Sequence, residues 1–190
     1  MITLVHGFNV KDPLGSVGRL QPYLTKSNIF DYGWRFLSVL WHNKRDATKL
    51  KGDLGHNVDN VLFGHSNGCA IAVEAARQGA HINTLICINP ALKVDTKWPD
   101  SIDKIIVIHT RHDKATKAAR FFDKVPFIQI AIPNAWGAMG AKGYIGDDAR
   151  VKNWDLSDRL EGHSDFFKQR NLEEFMPRIV EYLGMRNQFN

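Results

Sequence analysis

Val61-Leu62-Phe63-Gly64-His65-Ser66-Asn67-Gly68, followed at once by the alanine-rich stretch 69–78, decides how this chain folds. A short apolar run of strand type enters a turn that sets one serine between two glycines, and a segment of helical period leaves it. A strand that turns directly into a helix brings the two elements close together, and only small neighbours keep them from colliding. Gly64 and Gly68 supply that room, so the stretch predicts a strand, a sharp turn and a helix in succession.

Outward from this unit the alternation repeats. Apolar runs of strand length occur at 2–5, 34–40, 61–63, 84–88, 104–109 and 150–156, and segments of helical spacing at 14–24, 45–59, 69–78, 114–122 and 165–183. Pro177 is placed to kink the last helix. Strands that alternate with helices predict an α/β fold, a sheet of about six strands covered by helices. The stretch 126–148 breaks the pattern. There 127–132 reads as a further strand, and Gly137, Gly140, Gly143 and Gly146 then recur beside Trp136, Met139 and Tyr144, as in a loop packed closely on the body of the protein.

At 190 residues, with no Pro/Ser-rich linker, repeat or low-complexity tract, a single domain over 1–190 is expected. A composition of 44% hydrophobic and 24% charged residues excludes disordered and collagen-like chains. The apolar runs fall far short of the roughly 18 residues that a membrane-spanning helix needs. The apolar start at 2–5 has no basic flank of a secretory signal, so a cytoplasmic protein with no membrane partner is expected, of a compactness that suits a phage or a bacterium. Cys69 and Cys87 each sit in an apolar stretch and read as small buried side chains, not a disulfide framework. The net charge of +5 is dispersed and interleaved with acids, so no nucleic-acid partner is expected.

A serine hydroxyl is a weak nucleophile near neutral pH; it needs a base within hydrogen-bond reach and an acid that orients the base. The apolar run 105–108 leads into His109-Thr110-Arg111-His112-Asp113, beyond the C-terminal end of a buried strand, where ligands and catalytic groups of an open parallel sheet gather. Asp113 is therefore the candidate acid. Glu161-Gly162-His163-Ser164-Asp165 follows the last apolar run, and His163 is the candidate base for Ser66. Each residue has a plainer reading: Ser66 as a helix cap, Asp113 as the cap of a helix starting near Lys114, His163 as a surface histidine. Acyl transfer also needs two backbone N–H groups for the developing oxyanion. Asn67 offers one, and Phe8, after the turn at Gly7, the other; Asn9, Trp136 and Met139 are candidate substrate-lining residues. His109, His112 and Asp113 do not form the helical H-E-x-x-H arrangement, so no metal is expected, and no phosphate-binding glycine motif is present.

Taken together, His6-Gly7-Phe8-Asn9, Gly64-His65-Ser66-Asn67-Gly68, Asp113 after a strand and Gly162-His163 resemble the α/β-hydrolase superfamily of esterases, lipases and thioesterases. The motifs come in the family's order and span nearly the whole chain. The resemblance implies a three-layer sandwich around a mainly parallel sheet, a covalent acyl-enzyme on Ser66, a small-molecule ester or thioester as substrate, and no metal or organic cofactor. His6 resembles the family's packing histidine before the oxyanion turn. A minimal fold is also implied: the first strand resembles the family's third, so the leading hairpin would be missing, and only 90–103 stand where a large cap would be inserted. Any cover for the site would come from 126–148. Two other readings share these motifs: a non-catalytic interaction module on the same scaffold, and an amidase or acyltransferase using the same triad.

Overall fold

Parallel strands form where the apolar runs predict them, with one exception. The computed structural model describes residues 1–8, 13–33, 39–55, 59–119 and 136–185, except the side chains of 39–41 and 118–119. Its strands are β1 (Ile2–Val5), β2 (Ser27–Phe30), β3 (Val61–His65), β4 (Ile82–Ile88), β5 (Ile102–His109) and β6 (Val151–Asp155). They form one sheet in the order β2-β1-β3-β4-β5-β6, and every pairing is parallel. The helices are α1 (Val39–Leu54), α2 (Asn67–Arg77), α3 (Lys114–Ala119), α4 (Met139–Lys142) and α5 (Gln169–Tyr182). The expected mainly parallel α/β sheet is thus present.

The exception is the second strand. The spacing predicts it at 34–40, but Val39 and Leu40 open α1, and 34–38 lie outside the described residues. Ser27–Phe30 takes the place instead, at the edge of the described sheet and paired with β1 alone among the described strands. An edge strand is wet on one side and needs no apolar run, so two polar residues before Ile29 hide it from a hydrophobic pattern. The predicted helix at 14–24 is also different: 3₁₀ segments occupy Pro13–Gly15 and Val17–Tyr23. Gly15, Gly18 and Pro22 explain this, because glycine disfavours an α-helix and proline removes one of its N–H donors. A further 3₁₀ turn, Asp165–Phe167, precedes α5, which runs through Pro177. The candidate strand 127–132 and the end of the predicted helix 114–122 lie outside the described residues.

Successive side chains of a strand point to opposite faces, and this sorts the core into two layers. Val5, Leu62, Leu85 and Val107 pack under α1 and α2; Leu4, Phe63, Ile86 and Ile108 pack under α5 and the 3₁₀ segment Val17–Tyr23. Burial on both faces is why the central strands read as unbroken apolar runs. Cys69 and Cys87 are buried and free, as their apolar surroundings suggest. No helix among the described residues is long and apolar enough to cross a membrane.

The small residues of α2 let it lie almost on the end of β1. A Cβ on Gly68 would stand 2.3 Å from the Val5 carbonyl oxygen and 2.5 Å from that of His6, closer than any real contact allows. Both obstacles are backbone, so they cannot swing aside. Gly68→Ala is therefore expected to lower stability by at least about 1–3 kcal/mol, the usual cost of overpacking, read as the shift in the urea-unfolding midpoint. An unchanged midpoint would mean that strand and helix have slack at this joint.

Candidate active site

After β1 the chain moves to one side to form β2, then returns past β1 to form β3. The strand order therefore reverses between β1 and β3, and in an open parallel sheet the crevice for a ligand lies outside the carboxyl ends at such a point. The residues that leave those two ends are His6, Gly7 and Phe8 after β1, and Ser66 and Asn67 after β3.

Ser66 has φ 53° and ψ −119°, a left-handed backbone that L-residues avoid and that persists only where the surroundings impose it. Its N–H donates to the Ile88 carbonyl at 3.0 Å, and its own carbonyl accepts from the N–H groups of Cys69 and Ala91, both at 3.2 Å. Its side chain makes no capping hydrogen bond to α2. The plain reading of Ser66 as a helix cap therefore does not hold. The loop after β1 lies directly alongside: a Cβ on Gly7 would stand 3.2 Å from Ser66 Cβ.

Asp113 and His163 meet. The imidazole Nδ1 lies 2.8 Å from Asp113 Oδ2, and the carboxylate is fully buried while the ring keeps 21% of its surface. Because a carboxylate oxygen accepts, Nδ1 carries the proton, which leaves Nε2 as the acceptor of the neutral ring. The second oxygen, Oδ1, accepts from the Thr116 N–H at 2.9 Å at the start of α3. The acid thus caps a helix with one oxygen and faces the histidine with the other. Gly140 makes room for it, since a Cβ there would stand 2.6 Å from Asp113 Oδ2.

The backbone of His163 is gripped as firmly as its ring. Its carbonyl accepts from Asn89 Nδ2 at 2.6 Å and from His65 Nε2 at 3.2 Å. The carbonyl can only accept, so His65 holds its proton on Nε2, and its buried Nδ1 has no hydrogen-bond partner among the described residues. The His65 ring lies 4.8 Å from that of His163 and edge-on to Phe167 at 4.9 Å. Burial, with the neighbouring His163 second, pushes the His65 pKa down to about 3, so it is a neutral support.

A polar cluster joins the two sides of the crevice. Asn67 and Asn43 of α1 exchange amide hydrogen bonds of 3.0 and 2.9 Å. Trp136 Nε1 donates to Asn67 Oδ1 at 3.2 Å, and Asn67 Nδ2 reaches the Tyr32 hydroxyl at 3.4 Å. Tyr32 stacks on His6 with ring centroids 4.0 Å apart. Phe8 lies against Trp136 at 5.5 Å, so both rings border the turn at Gly7.

Of the candidate lining residues, Trp136 stands beside Asn67 and Phe8, and Asn9 lies outside the described residues. Met139 is fully buried in the core layer under α2, and its N–H bonds the Leu92 carbonyl. His109 packs near Asp155, and His112 is exposed beside Arg111. Tyr32, Asn43 and Asn89 escaped the sequence reading. Asn89 carried a usable signal, since a polar residue directly after a buried apolar run stands at a carboxyl end of the sheet. Tyr32 follows the strand that the hydrophobic pattern missed.

Neither protein-family models nor curated proteins match this chain. Solved structures do. A serine hydrolase involved in carbazole degradation aligns with 97% of this chain and 91% of its own at a TM-score of 0.62 and 10% identity. A Xanthomonas campestris protein assigned to the hydrolases of the alpha/beta superfamily aligns over 96% and 97% at 0.56 and 15%. The Pyrococcus furiosus esterase Pf2001 aligns over 96% and 81% at 0.59 and 14%. At such identities the likeness is one of architecture, and it is plain: this chain has the α/β-hydrolase fold.

The depressed pKa of His65 couples stability to pH. The unfolded chain protonates this ring below its ordinary 6.5, whereas the folded chain resists until about 3, so stability falls as pH drops through that window. His65→Gln is expected to flatten the fall by up to one proton, about 1.4 kcal/mol per pH unit, in urea titrations at stepped pH. Parallel curves for the two proteins would show that His65 is protonated in the folded state.

Proposed function

We propose that this chain is a serine hydrolase that cleaves a carboxylic ester or thioester through a covalent acyl-enzyme on Ser66. One observation carries the reading: the 2.8 Å contact of His163 Nδ1 with a fully buried Asp113, on a histidine whose ring lies 4.8 Å from that of His65, the residue before a serine in a strained turn whose hydroxyl does not cap its helix. The buried carboxylate holds the Nδ1 proton and stabilises the imidazolium that forms in the reaction, while Nε2 acts as base. Solved structures of the same fold include an esterase and a serine hydrolase, which supports the same class of reaction here.

The steps follow from these groups. His163 Nε2 takes the Ser66 proton as Oγ bonds to the substrate carbonyl carbon, and the C=O electron pair moves onto oxygen. The N–H groups of Phe8 and Asn67 hold that oxyanion; Asn67 is the first residue of α2, where N–H groups lack intrahelical partners and the helix dipole favours negative charge. The oxyanion collapses, the C–O or C–S bond breaks, and the imidazolium protonates the leaving group. Water, deprotonated by the same ring, then releases the acid and restores Ser66. Amide hydrolysis and transfer to an alcohol differ only in leaving group or acceptor, and a panel of p-nitrophenyl esters, thioesters and amides separates them.

Ser66→Ala is expected to abolish labelling by a fluorophosphonate probe with the thermal melt unchanged; labelling that persists would overturn the assignment. Asp113→Asn is a cleaner test of the acid than alanine, because asparagine still caps α3. Its kcat is expected to fall by roughly 10³–10⁴-fold, as when a triad acid loses its charge. A kcat within a few-fold of the original would leave Asp113 as a cap alone.

A further inference from the structure

A peptide unit is planar, and in its trans form the C=O of one residue and the N–H of the next point in opposite directions. The N–H of Phe8 shares its plane with the carbonyl of Gly7, so whatever holds that carbonyl also aims that N–H. Two buried donors hold it: His6 Nδ1 at 2.9 Å and the Tyr32 hydroxyl at 2.7 Å.

The direction of the surrounding hydrogen bonds is fixed by a residue with only one option. An indole nitrogen can only donate, so the Trp136 contact sets Asn67 with Oδ1 toward the indole and its NH₂ toward Tyr32 and Asn43. The Tyr32 oxygen is then an acceptor from Asn67, and its single proton goes to the Gly7 carbonyl, with the His6 carbonyl at 3.1 Å the weaker alternative. With two donors on Nδ2 and two lone pairs on Oδ1 all engaged, the Asn67 side chain has nothing left for a substrate. Its use is internal.

We propose that Tyr32 is a positioning residue for the reaction: by receiving the Asn67 amide and donating to the Gly7 carbonyl, its hydroxyl aligns the Phe8 N–H with the N–H of Asn67 on one oxyanion. This rests on the hydrolase reading above. Bonds in such a chain polarise one another, so a carbonyl pulled from two sides also makes the Phe8 N–H a better donor. Burial raises the Tyr32 pKa well beyond the ordinary phenol value, which keeps the hydroxyl protonated wherever the protein is folded. Tyr32 touches no reacting atom. Its effect is confined to the transition state, where charge first appears on the oxygen.

The test is Tyr32→Phe, which keeps the ring on His6 and removes only the hydroxyl. On a p-nitrophenyl ester hydrolysed by the wild type, kcat is expected to fall about 10- to 100-fold with KM within twofold, less than the cost of deleting an oxyanion donor outright. Inhibition by an alkyl boronic acid, a mimic of the tetrahedral state, is expected to weaken in parallel with kcat. A folded variant with unchanged kcat, or one whose loss lies in KM, overturns the inference and leaves the hydrolase reading standing. A wild type that hydrolyses no ester, thioester or amide and takes no fluorophosphonate sinks both. If the phenylalanine variant does not fold, a trifluorotyrosine placed at 32 alone keeps ring and hydroxyl but ionises at lower pH, and a phenolate cannot donate to Gly7. The kcat profile then gains an alkaline limb absent from the wild type, and an unchanged profile overturns the inference.

Discussion

The end of β1 and the start of α2 are pressed together at Gly68, and the rest of the site follows from that closeness. With backbone against backbone, the turn between β3 and α2 has no slack, and Ser66 takes a conformation that it would leave if it could. The serine makes no capping bond to the helix start, and it lies directly against the loop at Gly7. Under the proposed chemistry, the N-terminal dipole of α2, the uncapped hydroxyl and the Gly7–Phe8 peptide are brought to one place by this packing. Small side chains at 64 and 68 make that packing possible, and the strand order puts it where the sheet opens.

Around this joint the protein buries a cluster of polar side chains. His6, Tyr32, Asn43, His65, Asn67, Asn89 and Asp113 are all nearly or wholly withdrawn from water. Burial of such groups costs free energy that their hydrogen bonds only partly return, and apolar residues of similar volume would make a core at least as stable. What the polar groups supply is direction. The bonds among them run to specific partners, and the arrangement ends on two backbone carbonyls, those of Gly7 and His163, that orient the groups proposed to meet the substrate. His65 is a clear case: it keeps an unpaired ring nitrogen among the described residues for the sake of one bond to His163.

The residues proposed to carry the chemistry are legible in the chain because each is announced by its neighbours along it. Ser66 sits between glycines, Asp113 follows an apolar run, and His163 lies between the last strand and an amphipathic helix. The supports are harder to read. Tyr32 acts on a residue 25 positions earlier and Asn43 on one 24 positions later, and no local pattern marks either. The hydrophobic pattern failed at β2 for a related reason: an edge strand needs less apolar surface than a central one, and 34–40 is more apolar than Ser27–Phe30. Asp113 shows that two readings of one residue need not compete, because a carboxylate has two oxygens.

The loop that carries His163 is held from outside itself, by groups at the ends of β3, β4 and β5. During synthesis the ribosome delivers those anchors well before it delivers the histidine. A chain stopped short of residue 163 would hold the serine and the acid in its sequence, yet without the histidine it would be inert under the proposed chemistry. Under that chemistry reactivity would begin only when the segment from His163 onward docks, so an incomplete copy would pose no hydrolytic hazard to the cell that is making it.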